Sequence, residues 1–385
     1  MGDLEVEWRD GGSGGALIDP FMAWYPSAPG FAAGSAILRS MPYDLKDRLV
    51  IGVASSAMFD LAESHAVFER EGEEKYRKFQ EQHLNQPLPR GMAFSFVKRL
   101  LSLNDLSDDA EGNPLVEVVL LSQNDPDTGL RVMKSIAHYG IPMTRAIFMQ
   151  GRSPYEFIPA LNISLFLSAN KKHVSEAIKL NFPAGQVLKS AIVDDEQDKD
   201  LRIAFDFDGV LADDEAEVVM HKTKDLQKFH EHEVKNVMQP HNPGPLQEFL
   251  IRISRIQSAE EDRRRVVPAY QNRLRVSIVT ARNAPSHERA IKTLKSWGVT
   301  ANDAFFLGGI EKAKVLAILK PHIFFDDQPV HLGPAASVVP SVHIPFGVKN
   351  EPQAEQMEDD GIEATSKGAR TRRQKAPRRP RKSKS

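Results

Sequence analysis

The chain has 385 residues, of which 41% are hydrophobic and 26% charged, and it contains no cysteine. This composition is typical of a soluble globular protein of two or three domains, and the lack of cysteine excludes disulfides, thiolate catalysis and cysteine zinc sites. No apolar stretch reaches the ~18 residues needed to span a bilayer. The N-terminus also lacks the basic and apolar regions of a signal peptide. We therefore expect a cytoplasmic protein without a membrane span.

The net charge of −2 conceals a basic tail. Residues 367–385 carry ten Lys or Arg and no acid, which leaves 40 basic against 52 acidic residues in the rest of the chain. A body this acidic repels nucleic acid, so we expect at most a weak nucleic-acid contact, made through the tail. The tail has no aromatic residue to stack on single-stranded bases.

The chain divides into four predicted segments. Residues 1–46 are rich in Gly, Pro, Ala and Ser and are predicted to be disordered or loosely packed. Residues 47–195 and 196–351 alternate strand-like with helical patterns, which predicts an α/β fold with a parallel sheet and helices on both faces. Residues 352–385 turn polar and then basic, which predicts a disordered tail.

Five apolar runs are predicted as strands because their near-continuous apolar character suits strands covered on both faces. In chain order they are Leu49–Ala54, Val116–Leu121, Leu201–Phe205, Leu274–Val279 and His322–Phe325. The polar, helical stretch 213–270 lies between the third and fourth runs. We predict that it forms a small cap over a site at the sheet.

An internal repeat relates the two α/β segments. One offset of 158 residues aligns three separate stretches: 118–141 with 276–299, 146–151 with 304–309, and 164–169 with 322–327. Any two strand–helix units look somewhat alike, but a single offset across three stretches favours a tandem duplication of one α/β unit.

The first copy lacks the charged residues of the second. At a slightly different offset, 152, Ala54 and Ser56 align with Asp206 and Asp208; at the offset of 158, Pro154 aligns with Lys312, and Ser168 and Ala169 align with Asp326 and Asp327. We therefore predict a degenerate first half that supports or binds the substrate, and chemistry in the second half. Ser55, Ser56 and Ser122 lie at strand ends of the first half, where they are candidate substrate contacts or ordinary turn and cap residues.

Polar clusters follow three strands of the second half: Asp206 with Asp208, Thr280, and Asp326 with Asp327. Because ligands bind beyond the carboxyl ends of parallel strands, these clusters are expected to converge. Four carboxylates repel one another unless a cation lies among them, and oxygen ligands without His or Cys favour Mg²⁺. Lys312 and the Thr280 hydroxyl can then hold a phosphoryl group. The sequence thus predicts a phosphoryl-transfer site.

The motifs that carry this chemistry resemble a known superfamily. DFDGV, VTAR, the lysine of GIEK and FFDD stand in the order of the four motifs of haloacid dehalogenase-superfamily phosphatases. The longer stretches VASSAMFDLAESHAVF, SWGV and PHIFFDDQPVH resemble the cytosolic type I 5′-nucleotidase family, over about residues 48–348. In the first motif this chain reads D-F-D-G where animal members read D-G-D-A. Both aspartates are kept, so the departure bears on nucleotide preference.

The resemblance implies a haloacid dehalogenase-like, Rossmann-like fold and Mg²⁺-dependent hydrolysis of nucleoside 5′-monophosphates. AMP is the expected substrate, with IMP, GMP, CMP and deoxynucleotides as competitors. Asp206 would be the nucleophile, Asp208 the general acid and then base, and Thr280 and Lys312 the phosphate ligands. The implied Mg²⁺ ligands are Asp206, the backbone carbonyl of Asp208, Asp326 and Asp327.

Three questions stay open at the level of sequence. Arg282, two residues past Thr280, either meets a phosphate or caps the following helix. The site would serve equally for a sugar phosphate or another small phosphomonoester. A protein of another class, a non-catalytic nucleotide- or RNA-binding protein that uses the basic tail, has no need of a nucleophile, an acid, a lysine and a metal pair together.

Overall fold

The computed structural model describes residues 44–107, 114–192 and 194–350. The tail predicted at 352–385, and all but the last three residues of the extension predicted at 1–46, lie outside the described residues. Within the described part, none of the helices has the length and apolar character to cross a membrane.

Ten strands within the described residues form one sheet, in the order β3-β2-β1-β4-β5-β10-β9-β6-β7-β8. All neighbouring pairs are parallel except β5 and β10, which are antiparallel. The strands are β1 Leu49–Val53, β2 Val116–Ser122, β3 Arg145–Phe148, β4 Ile163–Ser168, β5 Ala184–Val187, β6 Leu201–Phe205, β7 Leu274–Thr280, β8 Asp303–Phe306, β9 Ile323–Asp326 and β10 Ser341–His343. The prediction of an α/β fold with a mostly parallel sheet is confirmed.

The two halves of the sheet have the same strand order. The first half runs β3-β2-β1-β4-β5 and the second, read from the other edge, runs β8-β7-β6-β9-β10. Because β5 and β10 join them antiparallel, all strands of the first half run opposite to those of the second. The carboxyl ends of the two sets of strands therefore lie at opposite ends of the sheet.

Helices cover both faces of the sheet, as predicted. Successive residues of a strand point to opposite faces, and both sets of side chains are buried. On β6, Ile203 and Phe205 join a core shared by both halves, whereas Ala204 joins a smaller core on the other face. The helices are α1 Ser55–Met58, α2 Ala62–Gln82, α3 Phe94–Ser102, α4 Pro126–His138, α5 Lys171–Lys179, α6 Glu215–Thr223, α7 Leu226–Lys235, α8 Gln247–Val266, α9 His287–Ser296, α10 Lys312–Leu319 and α11 Pro329–Ala335.

The segment predicted as a cap, 213–270, includes one helix that belongs instead to the layer covering the sheet. Its last helix, α8, buries Phe249 and Ile253 in the main core and packs against β1, β4 and β7. This apolar face makes α8 part of the layer that covers the sheet. The two remaining helices, α6 and α7, pack against each other. The chain just before α6 and the chain after α7 are joined by a hydrogen bond, in which the Asp213 backbone N–H donates to Asn242 O at 3.0 Å.

Candidate active site

The turn after β6 brings the first two aspartates to the carboxyl edge of the second half. The Asp206 backbone N–H donates to Phe325 O on the neighbouring strand at 2.8 Å. Gly209 follows with a φ of 71°, in the region that favours glycine. A Cβ on Gly209 would lie 2.8 Å from Asp327 Cγ, so the turn needs a glycine both for its backbone and for the approach of Asp327.

Lys312, the first residue of α10, lies between two buried carboxylates. Its Nζ is 2.6 Å from Asp206 Oδ2 and 2.7 Å from Asp326 Oδ2. Burial lowers the pKa of Lys312, but the charges of Asp206 and Asp326 outweigh burial and raise it. Burial raises the pKa of Asp206 to about 6 despite the opposing charge of Lys312. The lysine is thus fixed as a cation beside the predicted nucleophile.

Asp327 is fully buried, and neither of its carboxylate oxygens has a hydrogen-bond partner among the described residues. Burial, followed by the charges of Glu217 and Asp206, raises its pKa to about 10. Glu217, on α6, also has one buried oxygen without a partner, and burial and the charge of Asp208 raise its pKa to about 8. Orphaned buried oxygens of this kind fit a divalent cation, which would supply the missing partner.

Asp208 is held by an arginine. Arg282 donates from Nε to Asp208 Oδ2 at 2.7 Å and from Nη2 to Asp208 Oδ1 at 2.6 Å, in a bidentate pair. Both side chains are buried. The main contact of Arg282 is therefore Asp208, which neither sequence interpretation of Arg282 included; its Nη1 also donates to the backbone O of Ser286, the residue before α9, at 3.2 Å.

Thr280 ends β7, beside the turn that carries Asp206, and is 1% exposed. Its hydroxyl accepts a hydrogen bond from the Arg282 backbone N–H at 3.3 Å. His331, at the start of α11, places Nδ1 3.3 Å from both oxygens of Asp326. The structure therefore brings together the seven residues predicted for the second half, including Arg282, and adds three that were not predicted: Glu217, His331 and Glu233, whose carboxylate accepts a hydrogen bond from Arg282 Nη1.

Comparison with known proteins bears on the whole folded region. The model of the 5′-nucleotidase family matches residues 41–351.

The chain belongs to the 5′-nucleotidase family. It is also similar to human cytosolic 5′-nucleotidase 1B, with 34% identity over 303 residues, which cover 76% of this chain and 48% of that relative. The chain thus spans about half the length of this human relative. No solved structure matches it with significance.

The candidate substrate contacts in the first half of this 5′-nucleotidase family member are Ser55, Ser56 and Ser122. They lie far from the cluster of Asp206, Lys312 and Asp326, here called the Asp206 cluster. The Ser55 hydroxyl donates a hydrogen bond of 3.2 Å to the Ser122 hydroxyl. The Ser56 hydroxyl lies 3.4 Å from Ser168 Oγ. β1 is separated from β6 by five strand spacings, about 24 Å, and its carboxyl end points the other way. A nucleoside bound at Asp206 would therefore lie away from these three serines, and their contacts with other serines favour the alternative interpretation as turn and cap residues.

The added residues carried little signal in the sequence. Glu217 and Glu233 belong to polar helices with many charges, where a charged residue usually faces solvent. His331 follows the FFDD motif by four residues, which places it at the start of the next helix. That proximity was the one available sign that His331 meets the aspartates.

Proposed function

We propose that the protein is a Mg²⁺-dependent 5′-nucleotidase that hydrolyses nucleoside 5′-monophosphates, AMP foremost, to nucleoside and phosphate. The observation that carries the proposal is the buried cluster of Asp206, Lys312 and Asp326 at the carboxyl ends of β6 and β9. Membership of the 5′-nucleotidase family supports a nucleotide as the substrate. The name of the human relative supports a cytosolic location.

The proposal includes a haloacid dehalogenase-like fold that arose by tandem duplication. Halves 47–195 and 196–351 are the proposed copies, and their identical strand order supports a common origin. The first copy is degenerate, with alanine or serine where the second has the four aspartates. The proposed cap is α6 with α7 and their connections, about residues 214–241, inserted after the first motif of the second copy.

In the first chemical step Asp206 attacks phosphorus. A bond forms between an Asp206 carboxylate oxygen and phosphorus, and the bond from phosphorus to the nucleoside O5′ breaks. Asp208 gives its proton to O5′, so the nucleoside leaves as a neutral alcohol. Lys312 and the Thr280 hydroxyl hold the phosphoryl oxygens and offset their negative charge.

In the second step water attacks the phosphorus of the aspartyl-phosphate. Asp208, now a carboxylate, takes a proton from the water, and the bond from phosphorus to Asp206 breaks. Inorganic phosphate leaves, Asp206 is again a carboxylate and Asp208 is again protonated. The two aspartates that follow β6 thus divide nucleophilic attack and proton transfer between them.

Four groups would hold Mg²⁺: the side chains of Asp206, Asp326 and Asp327 and the backbone carbonyl of Asp208. When bound, Mg²⁺ supplies positive charge that offsets the phosphoryl oxygens. Glu217 lies near enough to raise the pKa of Asp327, so its carboxyl group belongs to the same pocket.

Replacement of the Asp327 carboxyl group by an amide, which does not titrate, is expected to stabilise the metal-free protein. A carboxyl group whose pKa is about 10 when folded binds a proton on folding, so it disfavours the folded state increasingly as pH rises from about 4, its unfolded pKa, toward 10. Asp327→Asn should therefore raise the unfolding temperature by a few degrees at pH 8 in EDTA, with a smaller gain near pH 5. Mg²⁺ should raise the unfolding temperature of the wild type and leave that of the variant unchanged.

Thermal unfolding followed with and without Mg²⁺ measures both effects. Asp303→Asn is a matched control, because Asp303 is a less buried carboxylate paired with Arg275 and lies away from the cluster. A variant that unfolds at a lower temperature than the wild type in EDTA, or that Mg²⁺ still stabilises, would contradict the assignment of Asp327.

Phosphate release from a panel of substrates tests the proposed function. Nucleoside 5′-monophosphates and sugar phosphates are each incubated with the protein, in Mg²⁺ or in EDTA. We expect release from AMP or a closely related monophosphate in Mg²⁺, and none in EDTA. Release from sugar phosphates alone would retain the chemistry and reject the nucleotidase. No release from any substrate would favour the binding protein that uses the basic tail.

A further inference from the structure

A second buried carboxylate lies on the proposed cap, and neither chemical step uses it. Glu233, on α7, is 1% exposed and its side chain contacts three basic groups. Glu233 Oε2 accepts a hydrogen bond from Arg282 Nη1 and lies 3.2 Å from His241 Nε2. Glu233 Oε1 accepts a hydrogen bond from Arg289 Nη1 at 2.9 Å. Both oxygens of the carboxylate are therefore engaged.

Arg282 links this carboxylate to the predicted general acid. Its Nε and Nη2 hold the two oxygens of Asp208, and its remaining nitrogen, Nη1, reaches Glu233. The rings of Phe207 and Phe229 lie 5.1 Å and 5.6 Å from the guanidinium carbon. A planar fork with a carboxylate on either side and aromatic rings beside it has little rotational freedom. The orientation of Arg282 is thus set from both ends.

The same carboxylate ties the cap to the rest of the protein. Arg289 belongs to α9, a helix of the main layer, and binds Glu233 on α7 and Glu215 on α6, the latter at 3.1 Å. Burial alone would raise the pKa of Glu233, but the hydrogen bond from His241 and the charge of Arg282 outweigh it and lower the pKa to about 2. Glu233 therefore keeps its negative charge throughout the range in which the protein would work.

We propose that Glu233 is a positioning residue for Asp208. It holds Arg282, and Arg282 in turn fixes the position of the Asp208 side chain, so the placement of the general acid depends on a residue of the cap. The inference rests on the proposed function and adds to it a residue on the cap. If Glu233 served stability alone, its pairs with Arg289 and His241 would suffice, and the reaction would not depend on its contact with Arg282.

The leaving group distinguishes these two roles. Nucleoside O5′ needs a proton from Asp208 as it departs, whereas p-nitrophenolate is a stable anion that departs without one. The ratio kcat/KM reports the steps up to leaving-group departure. Glu233→Gln should therefore lower kcat/KM for AMP by roughly 10- to 100-fold, part of the range for general acid catalysis, and that for p-nitrophenyl phosphate by less than about 3-fold.

Glu260→Gln is the matched control. Glu260 is also fully buried in the second half, and its carboxylate accepts from the Tyr270 hydroxyl and from the Arg273 and Leu274 backbone N–H groups, away from Asp208. Its loss should affect both substrates equally. Glu233→Asp, which keeps the charge on a shorter side chain, should fall between the wild type and Glu233→Gln for AMP, and it replaces Glu233→Gln if that variant does not fold.

Equal losses on the two substrates in Glu233→Gln, as in the control, would overturn the positioning role and leave a structural one. An Asp variant no better than the Gln variant on AMP would overturn it as well. A wild-type protein that releases no phosphate from any nucleoside monophosphate would instead reject the proposed function. The failure of the inference and the failure of the function are thus separate results.

Discussion

Asp206→Asn is expected to lower phosphate release from AMP by on the order of 10⁴-fold or more, because an amide cannot form the aspartyl-phosphate. The substitution keeps the shape of the side chain, and the backbone contact with Phe325 O is unaffected. The loss should lie in kcat, since the phosphate ligands Thr280 and Lys312 remain. Steady-state phosphate release in Mg²⁺ measures the effect.

Asp200→Asn serves as the control for Asp206→Asn. Asp200 precedes the same strand at its opposite end, and its side chain is 46% exposed. This variant should retain wild-type activity. Thermal unfolding of both variants shows whether the fold is kept. An Asp206→Asn protein that is folded and keeps more than about a tenth of the wild-type rate would contradict the assignment of the nucleophile.

Lys312→Met is expected to have the largest effect on stability, together with a large effect on activity. The substitution leaves Asp206 and Asp326 buried without their shared cation, and breaking a buried ion pair in this way costs about 3–5 kcal/mol. The lost positive charge on the phosphoryl group should lower kcat by about 10²- to 10³-fold. Denaturant unfolding in EDTA measures the first effect, and phosphate release in Mg²⁺ the second.

Lys314→Met, on the same helix, is the matched control. The Lys314 side chain is 74% exposed and its Nζ lies 3.9 Å from Glu311, so its removal should change stability by less than about 0.5 kcal/mol. Activity should be unchanged. If Lys312→Met and Lys314→Met had the same free energy of unfolding, Lys312 would not stabilise the buried carboxylates of Asp206 and Asp326 as we infer.

The strands show how much of the fold can be predicted from local sequence pattern. The five predicted runs correspond to β1, β2, β6, β7 and β9, because strands buried on both faces leave a continuous apolar run in the sequence. The five other strands were not predicted; of these, β5 and β10 are too short, as AGQV and SVH, to show a pattern. These two strands nonetheless join the halves antiparallel. Their pairing is what turns Ser55, Ser56 and Ser122 away from the Asp206 cluster.

By itself the sequence predicted the α/β fold class and the candidate residues of the site, because five of them end or follow strands that local pattern predicts and Lys312 belongs to a motif. A polar residue after an apolar run lies at a strand end, and neighbouring parallel strands bring such ends together. Only the tertiary structure decided the direction of the first half and the partners of Arg282, which binds residues 74 and 49 positions away. Pairings of this kind depend on how distant elements pack against one another, and no local spacing encodes them.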